Sequence, residues 1–301
     1  MSKSITSKTK FVARTIGNNC NPLAQPFLKW AGGKRQLLKV IKDFIPARYT
    51  QYYEPFVGAG AVLFSLQPKK SVINDTNTEL INCYQVIKNN PEGLLTLCQH
   101  HQEKNSQEYY YQLRGQDRQD SFKSLSPVER AARIIYLNKT CFNGLFRVNS
   151  SGQFNVPYGK YSSPVVADFA VIKAVSAYLN KANVRILSGD FEKAVGRARK
   201  GAFIYFDPPY HPMSDTSSFT GYSINGFGIK EQERLREVCD KLSDRGCQVL
   251  ISNSATPFIK DLYNDSRYEI VDVKATRAIN SVSSKRGKIN ELLIYNKYER
   301  K

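Results

Sequence analysis

The segment Ala202-Phe203-Ile204-Tyr205-Phe206-Asp207-Pro208-Pro209-Tyr210 decides how the rest of the chain is read. Its first five residues form an unbroken apolar run, as in a strand buried on both faces of a parallel sheet. The four that follow then sit at that strand's carboxyl end, where open α/β sheets bind their ligands. Prolines have no N–H, so the turn offers acceptors, the Asp207 carboxylate and the Pro208 carbonyl, beside the flat face of Tyr210. Acceptors next to a stacking surface suit a planar group with an exocyclic amine, such as adenine. A rigid strand-to-loop turn with an exposed tyrosine has the same residues, and this segment alone leaves the two readings level.

Outward from this strand the chain alternates strand and helix patterns. Strands read at 51–54, 71–74, 184–187, 249–252, 268–273 and 292–295, and apolar residues at 37, 38, 41, 44 and 45 mark a helical stripe. A helix also reads from Ala61 to Leu66 and another, amphipathic, over Lys230–Ser243. The first and last thirds therefore belong to one α/β domain, residues 26–77 and 181–301, with a mostly parallel sheet. Residues 78–180 break the alternation with helical patterns and a Gly-, Asn- and Tyr-rich stretch at 140–161, which predicts an inserted domain. Residues 1–25 read as a basic arm.

The chain carries 44 Lys and Arg against 26 Asp and Glu, a formal charge of +18. An excess spread through 114–147, 193–200 and 274–288 suits a polyanionic partner, nucleic acid above all, although a solvated basic surface gives the same count. No stretch is long and apolar enough for a membrane span, and the first residues lack the apolar core of a signal peptide, so a cytoplasmic protein is expected. The six cysteines are scattered without a Cys-x-x-Cys pair, and the three histidines lack companion ligands, so no metal is expected.

The turn Glu54-Pro-Phe-Val-Gly58-Ala-Gly60 falls between strand and helix, where glycines let a ligand approach the backbone. Asp75 ends the next strand, the position from which a carboxylate holds a ribose diol, or else caps the following helix. Gly-x-x-x-x-Gly-Lys-Ser/Thr occurs nowhere, so the ligand is not a triphosphate held by a phosphate loop. Upstream, Trp30-Ala-Gly-Gly-Lys34 puts two glycines and a lysine at a helix start, a place for a carboxylate, with the chain's single tryptophan beside it.

Together, Phe27-Leu-Lys-Trp-Ala-Gly-Gly-Lys34, Tyr53-Glu-Pro-Phe-Val-Gly-Ala-Gly60, Asn74-Asp75, Asn143-Gly-Leu-Phe-Arg147, Gly152-Gln-Phe-Asn-Val-Pro-Tyr-Gly159, Gly189-Asp-Phe191 and Asp207-Pro-Pro-Tyr210 resemble the Dam-type (D12 class, alpha-group) DNA adenine-N6 methyltransferases of bacteria and phages. The blocks run in that family's order from about residue 26 to 298. The resemblance implies a Rossmann-like class I methyltransferase sheet with one antiparallel strand and helices on both faces, and an inserted, mainly helical recognition domain with a β-hairpin. It implies S-adenosyl-L-methionine as cofactor, released as S-adenosyl-L-homocysteine and bound by Trp30, Lys34, Gly58, Gly60, Asp75, Asp190, Phe191 and Asp207. Lys34 would face the methionyl carboxylate, Asp75 the ribose, and Asp190 with Phe191 the cofactor's adenine. A strand-end Asp with a core Phe is the plainer reading of that last pair.

The resemblance further implies double-stranded DNA as partner and Asp207, Pro208, Pro209 and Tyr210 as the catalytic group. The amino nitrogen would donate to Asp207 and the Pro208 carbonyl while Tyr210 stacks on the ring. Because N6 lies inside the duplex, the adenine must be rotated out. Lys29, Phe142, Asn143, Leu145, Arg147, Pro157 and Tyr161 are the expected DNA-binding residues, with Leu145 as wedge, Arg147 reading a guanine and GATC as the site. The long polar stretch 211–228 is expected to order over the flipped base with Tyr222 near it, and Lys288 to meet phosphate. A monomer in solution is expected, with a cognate restriction endonuclease a possible companion.

Three other functions compete. Cytosine-C5 transfer fails because it uses a thiolate, usually in a Pro-Cys pair, and no cysteine here follows a proline. Methyltransferases of RNA or of protein glutamine commonly carry Asn-Pro-Pro-Tyr and lack the Arg147 block. A basic DNA-binding module without activity would not need the intact cofactor and tetrad residues.

Overall fold

The computed structural model describes residues 20–34, 36–212, 226–276 and 288–300. The basic arm up to residue 19, Tyr222 with most of its stretch and the turn at 280–287 lie outside the described residues, as does the side chain of Lys288. In chain order the elements are α1 (Leu38–Asp43), β1 (Tyr52–Glu54), α2 (Ala61–Leu66), β2 (Ser71–Asp75), α3 (Thr78–Asn89), α4 (Pro91–Glu103), α5 (Gln107–Gly115) and α6 (Pro127–Thr140). There follow α7 (Phe169–Lys181), β3 (Val184–Ser188), α8 (Phe191–Val195), β4 (Phe203–Phe206), α9 (Ile229–Asp244), β5 (Gln248–Ser254), α10 (Pro257–Leu262), β6 (Glu269–Thr276) and β7 (Lys288–Tyr295).

The seven strands form one sheet in the order β3-β2-β1-β4-β5-β7-β6. The first five are mutually parallel, and β7 runs antiparallel to both β5 and β6. Side chains alternate across the pleat and so divide between two cores. Tyr52, Ile73, Phe203, Tyr205, Leu250 and Leu293 join the first, with residues of α1 to α7. Tyr53, Val72, Ile204, Phe206, Val249 and Ile251 join the second, with α8, α9 and α10. Both faces are covered, which is why the central strands read as continuous apolar runs. The helices between β2 and β3 share the first core with the sheet.

Strand order reverses between β1 and β4, so their carboxyl ends border a crevice of the kind that binds ligands. Glu54 ends β1 on one side of it, and Asp207 follows β4 on the other. All six cysteines are free thiols, five of them buried. Among the described residues no helix is long and apolar enough to cross a membrane, and no cluster of three or more His, Cys, Asp or Glu could hold a metal ion.

Candidate active site

Asp207 leaves β4 into the crevice, and Lys34 meets it from the segment before α1, with Nζ 2.9 Å from Asp207 Oδ1. The two side chains are only 18% and 6% exposed. Lys34 also donates to the Gly32 carbonyl at 2.9 Å and lies 4.7 Å from the centre of the Tyr210 ring. Burial pushes the Asp207 carboxyl above the usual carboxylate range; the Lys34 ammonium opposes that shift and Glu291 adds to it. Sequence reasoning gave Lys34 a ligand carboxylate to face. In the structure its partner is Asp207, and no local signal joins two residues so far apart in the chain.

Beside this pair lies Glu54, fully buried, whose Oε2 accepts the Tyr52 hydroxyl at 2.8 Å. Burial pushes its carboxyl up to about 8, against the opposing Tyr52 bond, with the nearby Asp207 charge adding to the rise. That shift favours the protonated form of Glu54 at neutral pH. The sequence showed it at the head of the glycine turn without suggesting a role.

The glycine turn is shaped for close approach. Gly58 has φ of +49°, and a Cβ there would come 3.1 Å from the Trp30 indole. Gly60 has φ of +73°, and a Cβ there would meet the Tyr84 hydroxyl at 2.6 Å. Asp75 Oδ2 accepts the Gly58 N–H at 3.1 Å and Oδ1 accepts the Asn77 N–H at 2.9 Å. Asp75 thus braces the turn and leaves the capping of α3 to Asn77, which accepts from the Leu80 N–H. Burial pushes the Asp75 carboxyl up, though backbone donors oppose the shift. Asn74 Nδ2 donates to the Pro55 and Gly189 carbonyls at 3.0 and 2.8 Å and so ties the ends of β1 and β3 to β2.

Asp190 caps α8 by accepting the Glu192 N–H and is paired with Arg234. Phe191 is 4% exposed in the second core, with the Arg234 guanidinium 4.4 Å from its ring centre. The pair therefore has the strand-end and core placement that the plainer sequence reading described.

The residues expected to bind DNA, apart from Lys29, gather on one partly exposed segment docked against residues 29–30. Two antiparallel bridges, Cys141 with Tyr158 and Val148 with Phe154, shape it as a hairpin. Asn143 has φ of +56°. Phe142 is 46% exposed, whereas Leu145 packs against the first core. Arg147 Nε donates to Asn155 Oδ1 at 2.7 Å, and its second nitrogen to the Asn155 carbonyl at 3.1 Å. Pro157 is exposed and accepts the Phe142 N–H at 2.8 Å; Lys29 Nζ lies 5.9 Å from the Tyr161 ring centre.

Asn138 is the joint that sequence reasoning missed. Fully buried on α6, it accepts the Lys29 N–H at 2.9 Å and donates to the Lys29 and Gly144 carbonyls at 2.8 and 3.1 Å. A Cβ at Gly144 would meet the Lys29 side chain at 2.2 Å, so glycine is what allows the two segments to touch. Trp30 stacks on Phe146 with ring centres 4.5 Å apart. Residues 29–30 and 144–146 are thus in direct contact.

The chain is similar to known DNA methyltransferases. The chain is 50% identical over 272 residues to the type II methyltransferase M1.LlaDCHI of Lactococcus lactis, covering 90% of this chain and 95% of that one. It is 42% identical over 290 residues to the type II methyltransferase M.MjaIII of Methanocaldococcus jannaschii, covering 90% and 99%. To the DNA adenine methylase of Escherichia coli K12 it is 35% identical over 270 residues, covering 89% and 93%. Residues 30–279 match the model of the D12 class N6 adenine-specific DNA methyltransferases, and the chain belongs to that family.

Proposed function

We propose that the chain transfers a methyl group from S-adenosylmethionine to N6 of an adenine rotated out of duplex DNA, within GATC. The observation that carries this reading is the half-buried Asp207 carboxylate held by Lys34 with the Tyr210 ring alongside, at the carboxyl end of β4. Adenine N6 is a poor nucleophile because its lone pair is delocalised into the ring. Asp207 and the Pro208 carbonyl accept hydrogen bonds from its two N–H groups and localise that pair, while Tyr210 stacks on the ring and fixes its direction. Lys34 keeps Asp207 ionised against burial until the amino group arrives. Asp207 is also the nearest group to take the proton released on transfer.

The donor side fits the cofactor. Gly58 and Gly60 let Trp30 and Tyr84 pack directly on the turn, where a Cβ would clash, Trp30 gives a flat wall beside it, and Asp75 stands where a ribose diol can be held. When bound, S-adenosylmethionine supplies an electrophilic methyl group. Asp190 and Phe191 are proposed to border its adenine, and Lys34 to share its ammonium between Asp207 and the methionyl carboxylate.

Residues 78–180 are proposed to carry target recognition. Phe142 is the better wedge on exposure, with Leu145 supporting it and Asn143 at the displaced base. Arg147 reads guanine through O6 and N7, Lys29 contacts the outer guanine, and Pro157 and Tyr161 flank them. The charge of +18 supports tracking of the phosphate backbone. Transfer of labelled methyl to duplexes containing GATC, GTTC or GATATC, beside the Asp207→Ala variant, tests the reading. Labelling confined to GATC and abolished in the variant is expected; equal labelling of all three overturns the readout, and an active variant overturns the mechanism.

A further inference from the structure

Tyr210 is gripped at its tip as well as over its face. Its hydroxyl donates to Glu291 Oε2 at 2.7 Å. Glu291 lies on the antiparallel strand β7, in register with Ser254 at the end of β5. A carboxylate thus reaches the tyrosine across the end of an intervening strand, while Lys34 lies 4.7 Å from the ring centre.

The backbone around Tyr210 is already fixed. Gln232 Nε2 donates to the Pro209 carbonyl at 2.9 Å, and the His211 N–H donates to Asn253 Oδ1 at 3.2 Å. Ser254 Oγ donates to the His211 carbonyl at 2.6 Å, and Asn253 Nδ2 to Gln232 Oε1 at 3.0 Å. These three side chains are at most 3% exposed. With the peptides on either side pinned, only the two side-chain torsions of Tyr210 stay free to swing the ring, and a bond at the hydroxyl restricts both. Glu291 has no ion pair among the described residues that would otherwise account for its charge there.

We propose that Glu291 is a positioning residue for methyl transfer, its carboxylate holding the Tyr210 ring in the plane on which the target adenine stacks. The inference rests on the proposed function and adds to it a residue on the opposite arm of the sheet. A side chain that fixes a stacking platform acts on the aligned complex more than on binding, so its loss lowers the transfer step rather than ligand affinity.

The test is single-turnover methyl transfer to a GATC duplex by wild type, Glu291→Ala, Glu291→Gln, Tyr210→Phe and the Ala/Phe double variant, with duplex and S-adenosylmethionine affinities measured alongside. Glu291→Ala is expected to slow transfer by about tenfold with both affinities within about twofold of wild type. Glu291→Gln keeps an acceptor and is expected to restore most of the rate. Tyr210→Phe lacks the donor, so adding Glu291→Ala to it should slow transfer no further. Multiplying effects in the double variant, an unrescued Gln variant, or a Glu291→Ala enzyme as fast as wild type would each overturn the inference. Should Glu291→Ala fail to fold, Tyr210→Phe and Glu291→Gln decide alone: a Phe variant at the wild-type rate, or a Gln variant as slow as Phe, overturns it. Wild type that methylates no adenine in the duplex defeats the underlying function, a result distinct from wild-type transfer that is indifferent to Glu291.

Discussion

The two halves of the site are built differently. Behind the crevice, Lys34, Asp207, Glu54 and Asp75 hang from strand ends or the segments beside them and make partly or wholly buried bonds, Lys34 with Asp207, Glu54 with Tyr52 and Asp75 with Gly58. In front, Phe142, Asn143 and Arg147 stand exposed on a segment shaped by two bridges, and Arg147 spends its guanidinium on neighbouring Asn155. The rear is organised before any ligand arrives. On the proposed reading, the front exchanges its own contacts for those of a duplex. Chemistry tolerates little misplacement, so its groups belong on the rigid sheet, whereas readout can use a segment whose bonds are easily replaced.

That contrast predicts separable losses. Lys34→Ala leaves a buried carboxylate without its cation, so transfer should fall by roughly 10²–10³-fold at neutral pH, with base choice unchanged. Asp207 faces Lys34, Glu54 and Glu291 as charged or titratable neighbours, and Lys34 is the one that lowers its pKa. Removing Lys34 raises that pKa, so the acid limb of the pH–rate profile should move to higher pH. A variant with an unmoved limb would mean that Lys34 does not serve Asp207. Arg147→Ala should do the reverse: about 10- to 100-fold of discrimination lost at the guanine position, with transfer to the preferred duplex far less affected, measured as kcat/KM on matched and substituted sites.

Asn138 is where the contrast can be tested at its seam. Asn138→Ala strands the Lys29 N–H and two carbonyls in the interior, at a cost of about 1–3 kcal/mol, read as a lower Tm. Because it joins Lys29 to Gly144, the same variant should weaken both site discrimination and cofactor affinity. A change in stability alone would show the halves to be independent.

The strands were legible because sheet burial writes itself into local sequence. The run at 202–206 and the segments at 71–74 and 184–187 fall within a residue or so of β4, β2 and β3. Helices α4, α5, α7, α8 and α10 were not read, although Asn90-Pro91 and Thr256-Pro257 carry the cap-then-proline signature of a helix start. Gln232 also left a trace: it lies on the same stripe as Leu235, Cys239 and Leu242, where a polar residue implies a buried partner. The Lys34–Asp207 and Lys29–Asn138 contacts left none, since each joins residues more than a hundred positions apart. Only folding brings them together.

The last expected effect falls deepest in the rear half, at Glu54. Its carboxyl is held near 8 in the folded chain, chiefly by burial, against an unfolded value near 4.5. Between those values the folded state keeps a proton that the unfolded state releases, so Glu54 should make the protein less stable as pH rises from about 4.5 to 8. Glu54→Gln preserves the shape and an acceptor for the Tyr52 hydroxyl while removing the titration. The difference in Tm, variant minus wild type, should therefore grow with pH across that window, by on the order of 5 °C. A difference that stays flat would mean that Glu54 is ionised at neutral pH, adding its charge to those of Asp207 and Glu291 beside Lys34.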